Sequence, residues 1–455
     1  MKKILLVYLP FCTPASPPYS LTSLYSFLTA NSKHSIMVLD LNLQFHQLKF
    51  PAYLKYYQTK EWDNYESTTK EYQQITEKTY SENNKKVLHG EKPDFFPELL
   101  RQITEQKPDL LAFSVVYSSQ AFYAYSFLEE INRLKEERKI NVTTIIGGPA
   151  VNEKLIPLAH KFLKNEVEFL EFIEGKTIDH SSLNFSFPLD FSIYNLNAYF
   201  TPNPVIPLKT STTCYYKQCT FCTHYANVPY MEYSLEPIYQ TIVKSQQKHF
   251  FLIDDMIPSQ RLLALAKVLK PLNIKWACQL RPTKDFTYSL LKTLYESGLV
   301  AVIWGVESGS QRVLNLMKKG TKKEEVIQVL KDSHQAGIKN VTYIMFGFPT
   351  ETKEEFLETI GLLKDNQECI DLISTSIFGL QQGAPILENP EEYGIIQITE
   401  VERTVLDKKI TYNVSSGLTK EEATHLRKRY KKTIENINKY PKTMNFFKEH
   451  LLSLS

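Results

Sequence analysis

Short apolar runs that stop abruptly at a polar or glycine residue recur along this chain, and most are followed by a stretch of 3.6-residue periodicity. The first, Ile4 to Leu9, leads through the loop TPASPPYS into a helical pattern with Leu21, Leu24, Phe27 and Leu28 on one face. Ile36 to Asp40, Leu110 to Val116, Val142 to Ile146 and Val167 to Ile173 continue the series. Strands alternating with helices imply a parallel sheet with right-handed crossovers, and ligands in such sheets lie at the carboxyl ends of the strands. Residues 1–180 are therefore expected to form a Rossmann-like, doubly wound α/β domain. Its insertion, Phe45 to Pro97, is polar and rich in Tyr and Lys, which predicts a solvated helical flap.

A linker dense in Pro, Asn and aromatics, residues 181–207, precedes a second alternation. Here the strands are read at Leu208 to Thr213, Phe250 to Ile253, Ile274 to Arg281, Gly298 to Gly305, Val341 to Phe348 and Asp371 to Phe378. That number of strands suits a partial barrel over residues 208–380, and loops after barrel strands line the active face. Helices in this part are expected to open at capping boxes, Thr321 with Glu324 and Thr352 with Glu355. Residues 381–455 read as a loop and a helical tail with a basic run, His425 to Lys432, for which a solvated face is the default.

Composition narrows the function classes. In 455 residues there are 53 basic and 50 acidic side chains, so no bulk nucleic-acid binding is expected. No apolar run approaches the length of a membrane span. The opening MKKILLVYLPF imitates a secretory signal, but its apolar run stops at Pro10 and fits a buried first strand better. Six cysteines, three of them clustered, suit a reducing, cytoplasmic setting rather than a disulfide framework.

The clustered three are Cys214, Cys219 and Cys222, in KTSTTCYYKQCTFCTH with the spacing C-x4-C-x2-C. Three thiolates this close can all face one soft metal centre. A structural zinc site asks for four ligands, and His224 is the only nearby fourth candidate. A ferredoxin cluster also asks for four cysteines. Three suggest a cubane with one iron left open.

This stretch resembles the radical S-adenosylmethionine (SAM) enzymes, although their commonest spacing is C-x3-C-x2-C. The likeness extends to GVESGSQR and GFPTET in the barrel and to PPYSLTSLYSFL, VLDLN, PDLLAFSVV and IIGGP in the first domain, which resemble the cobalamin-binding group of that superfamily. The resemblance implies a cobalamin-binding-type domain, a TIM-type partial (β/α)6 radical SAM barrel and a helical C-terminal tail. It implies a 4Fe–4S cluster on Cys214, Cys219 and Cys222, SAM, and a one-electron reductant such as flavodoxin or ferredoxin. By the same likeness Asp254, Asp255, Arg281, Glu307, Ser308, Arg312 and Gly347 are expected around SAM, with Glu351 one place beyond the usual acid.

No D-x-H-x-x-G sequence, which supplies a cobalt ligand in some relatives, is present, so cobalamin is expected without a protein histidine on the metal. With a corrinoid the expected outcome is methylation of a peptide or small molecule. Without one, epimerisation or cyclisation follows more naturally, and Cys369 is a weak candidate for hydrogen-atom donor. Cys278 reads as a packed core thiol. The methylthiotransferase branch is disfavoured, because it uses a further cysteine triad near the N-terminus and only Cys12 is there. The rival from another class is a zinc-stabilised binding protein.

Overall fold

The computed structural model describes residues 1–59, 61–223 and 228–454. Contacts divide the chain into two compact units. The first comprises Met1–Val205 with Glu236–Gln246 and Glu402–Lys408, and the second holds the remainder.

In the first unit β1 (Lys3–Tyr8), β2 (Ser35–Asp40), β3 (Leu110–Ser114), β4 (Thr143–Gly147) and β5 (Lys161–Phe162) form one sheet in the order β2-β1-β3-β4-β5. Each pair is parallel. This doubly wound order has its switch point between β1 and β3. Ile4, Leu6, Leu110 and Ile145 are buried against Leu21, Phe27 and Leu28 of the helix Tyr19–Asn31.

One expected strand is a helix. Residues Glu166–Glu174 coil because Asn165 caps the Glu168 N–H, acids occupy the first turn and Gly175 ends the helix with φ 70°. Phe169, Leu170 and Ile173 then share one buried face. The fifth strand is the two-residue β5 just before it.

The insertion is helical, as expected, but it is not a solvated flap. In the helix Tyr65–Leu88, Tyr65, Thr69, Tyr72, Thr76, Thr79, Asn83 and Val87 are buried, a stripe at steps of three and four. Tyr72 donates or accepts at His46 Nδ1 over 2.7 Å, and Tyr57 Oη donates to Thr69 Oγ1 over 3.0 Å. Phe50, Tyr57, Tyr72, His46 and Phe200 build an aromatic core around them. Burial in that core pushes His46 down to about 3, so it stays neutral.

The second unit is built on β6 (Val205–Leu208), β7 (His249–Leu252), β8 (Lys275–Leu280), β9 (Leu299–Glu307), β10 (Lys339–Phe346) and β11 (Leu372–Ile377). Their order, β11-β10-β9-β8-β7-β6, is that of an open six-stranded β/α barrel. Trp276 and Trp304 are fully buried, with their indole N–H groups donating to Ser297 O and Asn340 Oδ1. Cys278 is buried. The Thr352/Glu355 capping box forms, while the helix Lys323–Ala336 starts one residue later than expected and has no side-chain cap.

The C-terminal part contains more than helices. β12 (Ile395–Val401) and β13 (Lys409–Val414) pair antiparallel as a hairpin. Helices and turns follow, and the last, Lys448–Leu454, packs on β7, β8 and β9. Among the described residues no helix is long and apolar enough to cross a membrane.

Candidate active site

The described parts of the loops that follow β6 to β11 leave the carboxyl ends of the strands, at one end of the second sheet, and the expected site residues are distributed among them. The loop after β6 carries the cysteines. The strand ends at Leu208, earlier than the sequence suggested, because Asp254 draws the following residues out of the sheet. Its carboxylate accepts from the Thr210 N–H at 2.9 Å, from Thr210 Oγ1 at 3.1 Å and from Ser211 Oγ at 2.7 Å. Burial pushes this carboxyl up, against the lowering effect of those hydrogen bonds. Asp254 thus fastens the entry to the cysteine loop. Asp255 beside it is half-buried.

Cys214, Cys219 and Cys222 are not disulfide-bonded, and all are half-buried. Between them Thr220 ties the loop at three points: its N–H donates to Met317 O, its hydroxyl to Leu316 O, and its carbonyl accepts from Ile386. Phe221 packs on the apolar cluster of Val313, Met317, Phe348 and Phe378. Burial raises the Cys219 thiol pKa, while the Lys319 and Arg281 cations act to lower it. His224, considered as a fourth zinc ligand, lies outside the described residues. Among the described residues no three His, Cys, Asp or Glu side chains gather as ligands of a single ion.

The GVESGSQR segment divides between two environments. Glu307, at the end of β9, has φ 65° and is 8% exposed. Its carboxylate meets Lys319 Nζ at 2.8 Å. Gly305 makes room for that ammonium, since a Cβ there would lie 2.7 Å from Lys319 Nζ. Ser308 turns the other way, 3.3 Å from Thr359 Oγ1. Arg312 is bound by the next helix: Nε and Nη2 donate to the Glu355 carboxylate at 2.8 and 2.6 Å, and Nη2 donates to Thr350 O. That fork holds Glu355 at about 2, well below its ordinary value, despite the opposing effect of burial. The expected grouping of Glu307, Ser308 and Arg312 around one ligand is therefore not what the geometry brings together; of the three, Glu307 alone meets Lys319.

After β10, Gly347 takes φ 72° and its N–H donates to Glu351 Oε2 at 2.5 Å. Glu351 is fully buried, its Oε1 has no hydrogen-bond partner among the described residues, and burial pushes its carboxyl up to about 8. Arg281, after β8, reaches the cysteine loop. Its guanidinium lies 3.5 Å from the centroid of the Tyr216 ring, and Nη1 donates to Lys319 O at 3.0 Å. Cys369 belongs to the turn ahead of β11, the end of the sheet opposite the cysteine loop.

Lys319 escaped the sequence reading. In KKG it looked like an ordinary solvated lysine at a helix end, and only the acid at 307 and the small residue at 305 hint at its burial.

The match to known proteins falls on these residues. Residues 208–363 match the Radical SAM superfamily model. Those residues carry a radical SAM domain. A curated relative, the tRNA-2-methylthio-N(6)-dimethylallyladenosine synthase of Thermotoga petrophila, is 30% identical over 186 residues, which are 36% of this chain and 41% of that protein. The chain thus spans about two fifths of that relative's length. Among solved structures, the apo form of the cobalamin-dependent S-adenosylmethionine radical enzyme OxsB aligns with 98% of this chain and 70% of its own at TM-score 0.64 and 14% identity. The radical S-adenosylmethionine methyltransferase TsrM from Kitasatospora setae, solved with cobalamin and a [4Fe-4S] cluster bound, aligns with 93% and 88% at TM-score 0.60 and 14% identity. At such identities these two likenesses establish a shared fold.

Proposed function

We propose that this protein is a radical SAM enzyme that binds a 4Fe–4S cluster through Cys214, Cys219 and Cys222 and modifies a peptide or small molecule by hydrogen-atom abstraction. The observation that carries the reading is the donor set: three cysteine thiols on one anchored loop, with the Lys319 and Arg281 cations beside Cys219. An anionic cluster fits such a setting, and the buried Arg281 Nε–H, which has no partner among the described residues, adds a donor that an anionic group would satisfy. When bound, cluster and SAM together supply a 5′-deoxyadenosyl radical that takes a hydrogen atom from an unreactive carbon.

The chain's own residues do the rest. Asp254 fixes the start of the cysteine loop, Thr220 and Phe221 fix its end, and the Glu307–Lys319 pair presents both charges that a zwitterionic amino acid requires. Gly347 is held in the left-handed region by Glu351, and a Cβ there would lie 2.8 Å from the Ala423 Cβ, so the turn after β10 packs directly on that residue. A one-electron reductant such as flavodoxin or ferredoxin would serve as partner. The test is anaerobic reconstitution followed by reduction with SAM present: 5′-deoxyadenosine is the expected product, and protein that binds iron yet never forms it would overturn the reading.

A second reading, cobalamin-dependent methylation, is favoured by the sheet order β2-β1-β3-β4-β5 and by the fold shared with OxsB and TsrM. The loops at the switch point fit a corrinoid less well. Gln120 is fully buried there, its Nε2 donating to Leu9 O and its Oε1 accepting from Val116 and Tyr117. Gly148, in IIGGP, is packed on the Val115 carbonyl, which leaves no room there for a ligand to approach the backbone. Hydroxocobalamin retained after desalting at near-equal stoichiometry would establish the methylation reading; its complete loss leaves epimerisation, cyclisation or related rearrangement.

A further inference from the structure

Arg281 stands between three segments of the second unit. It follows β8, it touches the cysteine loop through two tyrosines, and it touches the turn that carries Lys319. The guanidinium lies over the Tyr216 ring at 3.5 Å, Nη2 donates to Tyr215 Oη at 3.4 Å, and Nη1 donates to Lys319 O at 3.0 Å. Tyr216 Oη donates in turn to Lys318 O at 2.8 Å. Gly320 has φ 66°, and a Cβ on it would collide with the Tyr216 hydroxyl. Tyr215 and Tyr216 are the two residues immediately after Cys214, so whatever fixes them fixes the first half of the C-x4-C gap.

That gap is one residue longer than C-x3-C and would otherwise have more freedom. A planar cation stacked on a ring while donating from both terminal nitrogens is a rigid tie, because the fork has few ways to make all these contacts at once. One nitrogen is left over. Arg281 is 8% exposed, and its Nε–H is buried with no acceptor among the described residues. A buried donor without a partner is costly unless something absent from the protein atoms satisfies it.

We propose that Arg281 is a positioning residue with two jobs: with Tyr216 it holds the cysteine loop in a shape ready for the cluster, and its Nε–H and charge then serve the loaded cluster as donor and counter-ion. This rests on the radical SAM reading above and goes beyond it, since the sequence had suggested Arg281 as a contact to SAM. The charge has a signed consequence. Reduction makes the cluster more negative, so a nearby cation favours the reduced form and raises the midpoint potential.

The test uses the full chain, with the apo forms of Arg281→Met, Arg281→Lys and Tyr216→Leu first checked for folding by thermal unfolding followed by circular dichroism. Iron and sulfide uptake is then timed under anaerobic conditions, and the midpoint potential is measured by EPR-monitored titration. Arg281→Met is expected to load several-fold more slowly and to show a more negative potential. Arg281→Lys should restore much of the potential but not the loading rate, because a lysine keeps the charge without the planar fork. Tyr216→Leu should load slowly with an unchanged potential. An Arg281→Met protein that loads at the wild-type rate, or whose potential equals the wild type's, would overturn the proposal. Wild-type protein that takes up no cluster would instead overturn the radical SAM reading itself.

Discussion

Lys319 Nζ lies 2.8 Å from Glu307 Oε1, and both side chains are almost wholly buried. The ammonium is desolvated, which alone would lower its pKa, but Glu307 and Cys219 hold it above the ordinary lysine value. Removing one partner of such a pair leaves an uncompensated buried charge, at a cost of about 3–5 kcal/mol. Lys319→Met should therefore destabilise the fold strongly in urea denaturation, and the double variant Lys319→Met/Glu307→Gln should recover most of the loss. Equal destabilisation by the single and double variants would show that the pair is not coupled.

The cysteine triad makes the most direct prediction. Reconstituted wild-type protein should bind about four irons, the content of one cubane, with a broad visible absorption band that bleaches on reduction. The Cys214→Ala/Cys219→Ala/Cys222→Ala variant should bind none. A triple variant with undiminished iron would place the metal elsewhere.

Glu307 also carries a prediction about SAM. It ends an apolar strand with φ 65°, a backbone conformation that a non-glycine residue adopts only under constraint. Glu307→Ala should weaken SAM binding, measured by equilibrium dialysis, by about 1–3 kcal/mol, as for a lost charge-assisted hydrogen bond. Unchanged affinity in a folded variant would remove Glu307 from the SAM site.

Asp254 is a matter of loop integrity. Its carboxylate serves one backbone N–H and two hydroxyls, all buried. Asp254→Ala leaves these donors without an acceptor and should cost at least about 1–3 kcal/mol. Iron retention during gel filtration should fall with it, since these residues lead into Cys214. Full retention would mean the loop is held well enough from its far end.

Glu351 gives stability a pH dependence. Burial raises its carboxyl from 4.5 to about 8, so the folded state holds a proton that the unfolded chain releases. Its contribution is fully present below the unfolded pKa and is lost as pH rises through the folded one, between about pH 4.5 and 8. Glu351→Gln, neutral throughout, should flatten the wild type's decline in denaturation midpoint over that window. Parallel curves for both proteins would show that Glu351 is ionised in the fold.

The two parallel sheets were legible because central strands such as β1, β3 and β9 are buried along most of their length, and so read as apolar runs. The cysteine loop was legible because three thiols in nine residues have few structural explanations. Local periodicity failed where polar atoms have a polar side and an apolar one. The Tyr/Thr stripe of Tyr65–Leu88 looked solvated because its hydroxyls mask rings that pack on one another. The helix Glu166–Glu174 looked like a strand because its apolar residues are adjacent, until the Asn165 cap is seen to start it.

The sequence by itself determined which loops follow which strands, and hence that the cysteines, Asp254, Arg281, Glu307 and Gly347 would gather at the carboxyl ends of one sheet. Only the tertiary structure decided what each of them touches. Partners there come from segments far apart in the chain: Arg312 answers Glu355, Arg281 answers Tyr216, and Lys319 answers Glu307 across a gap that Gly305 leaves open. Side-chain charge is written in the sequence, but which opposite charge or ring neutralises it depends on a few ångströms of backbone placement, and the energy of a buried pair falls steeply with distance and exposure.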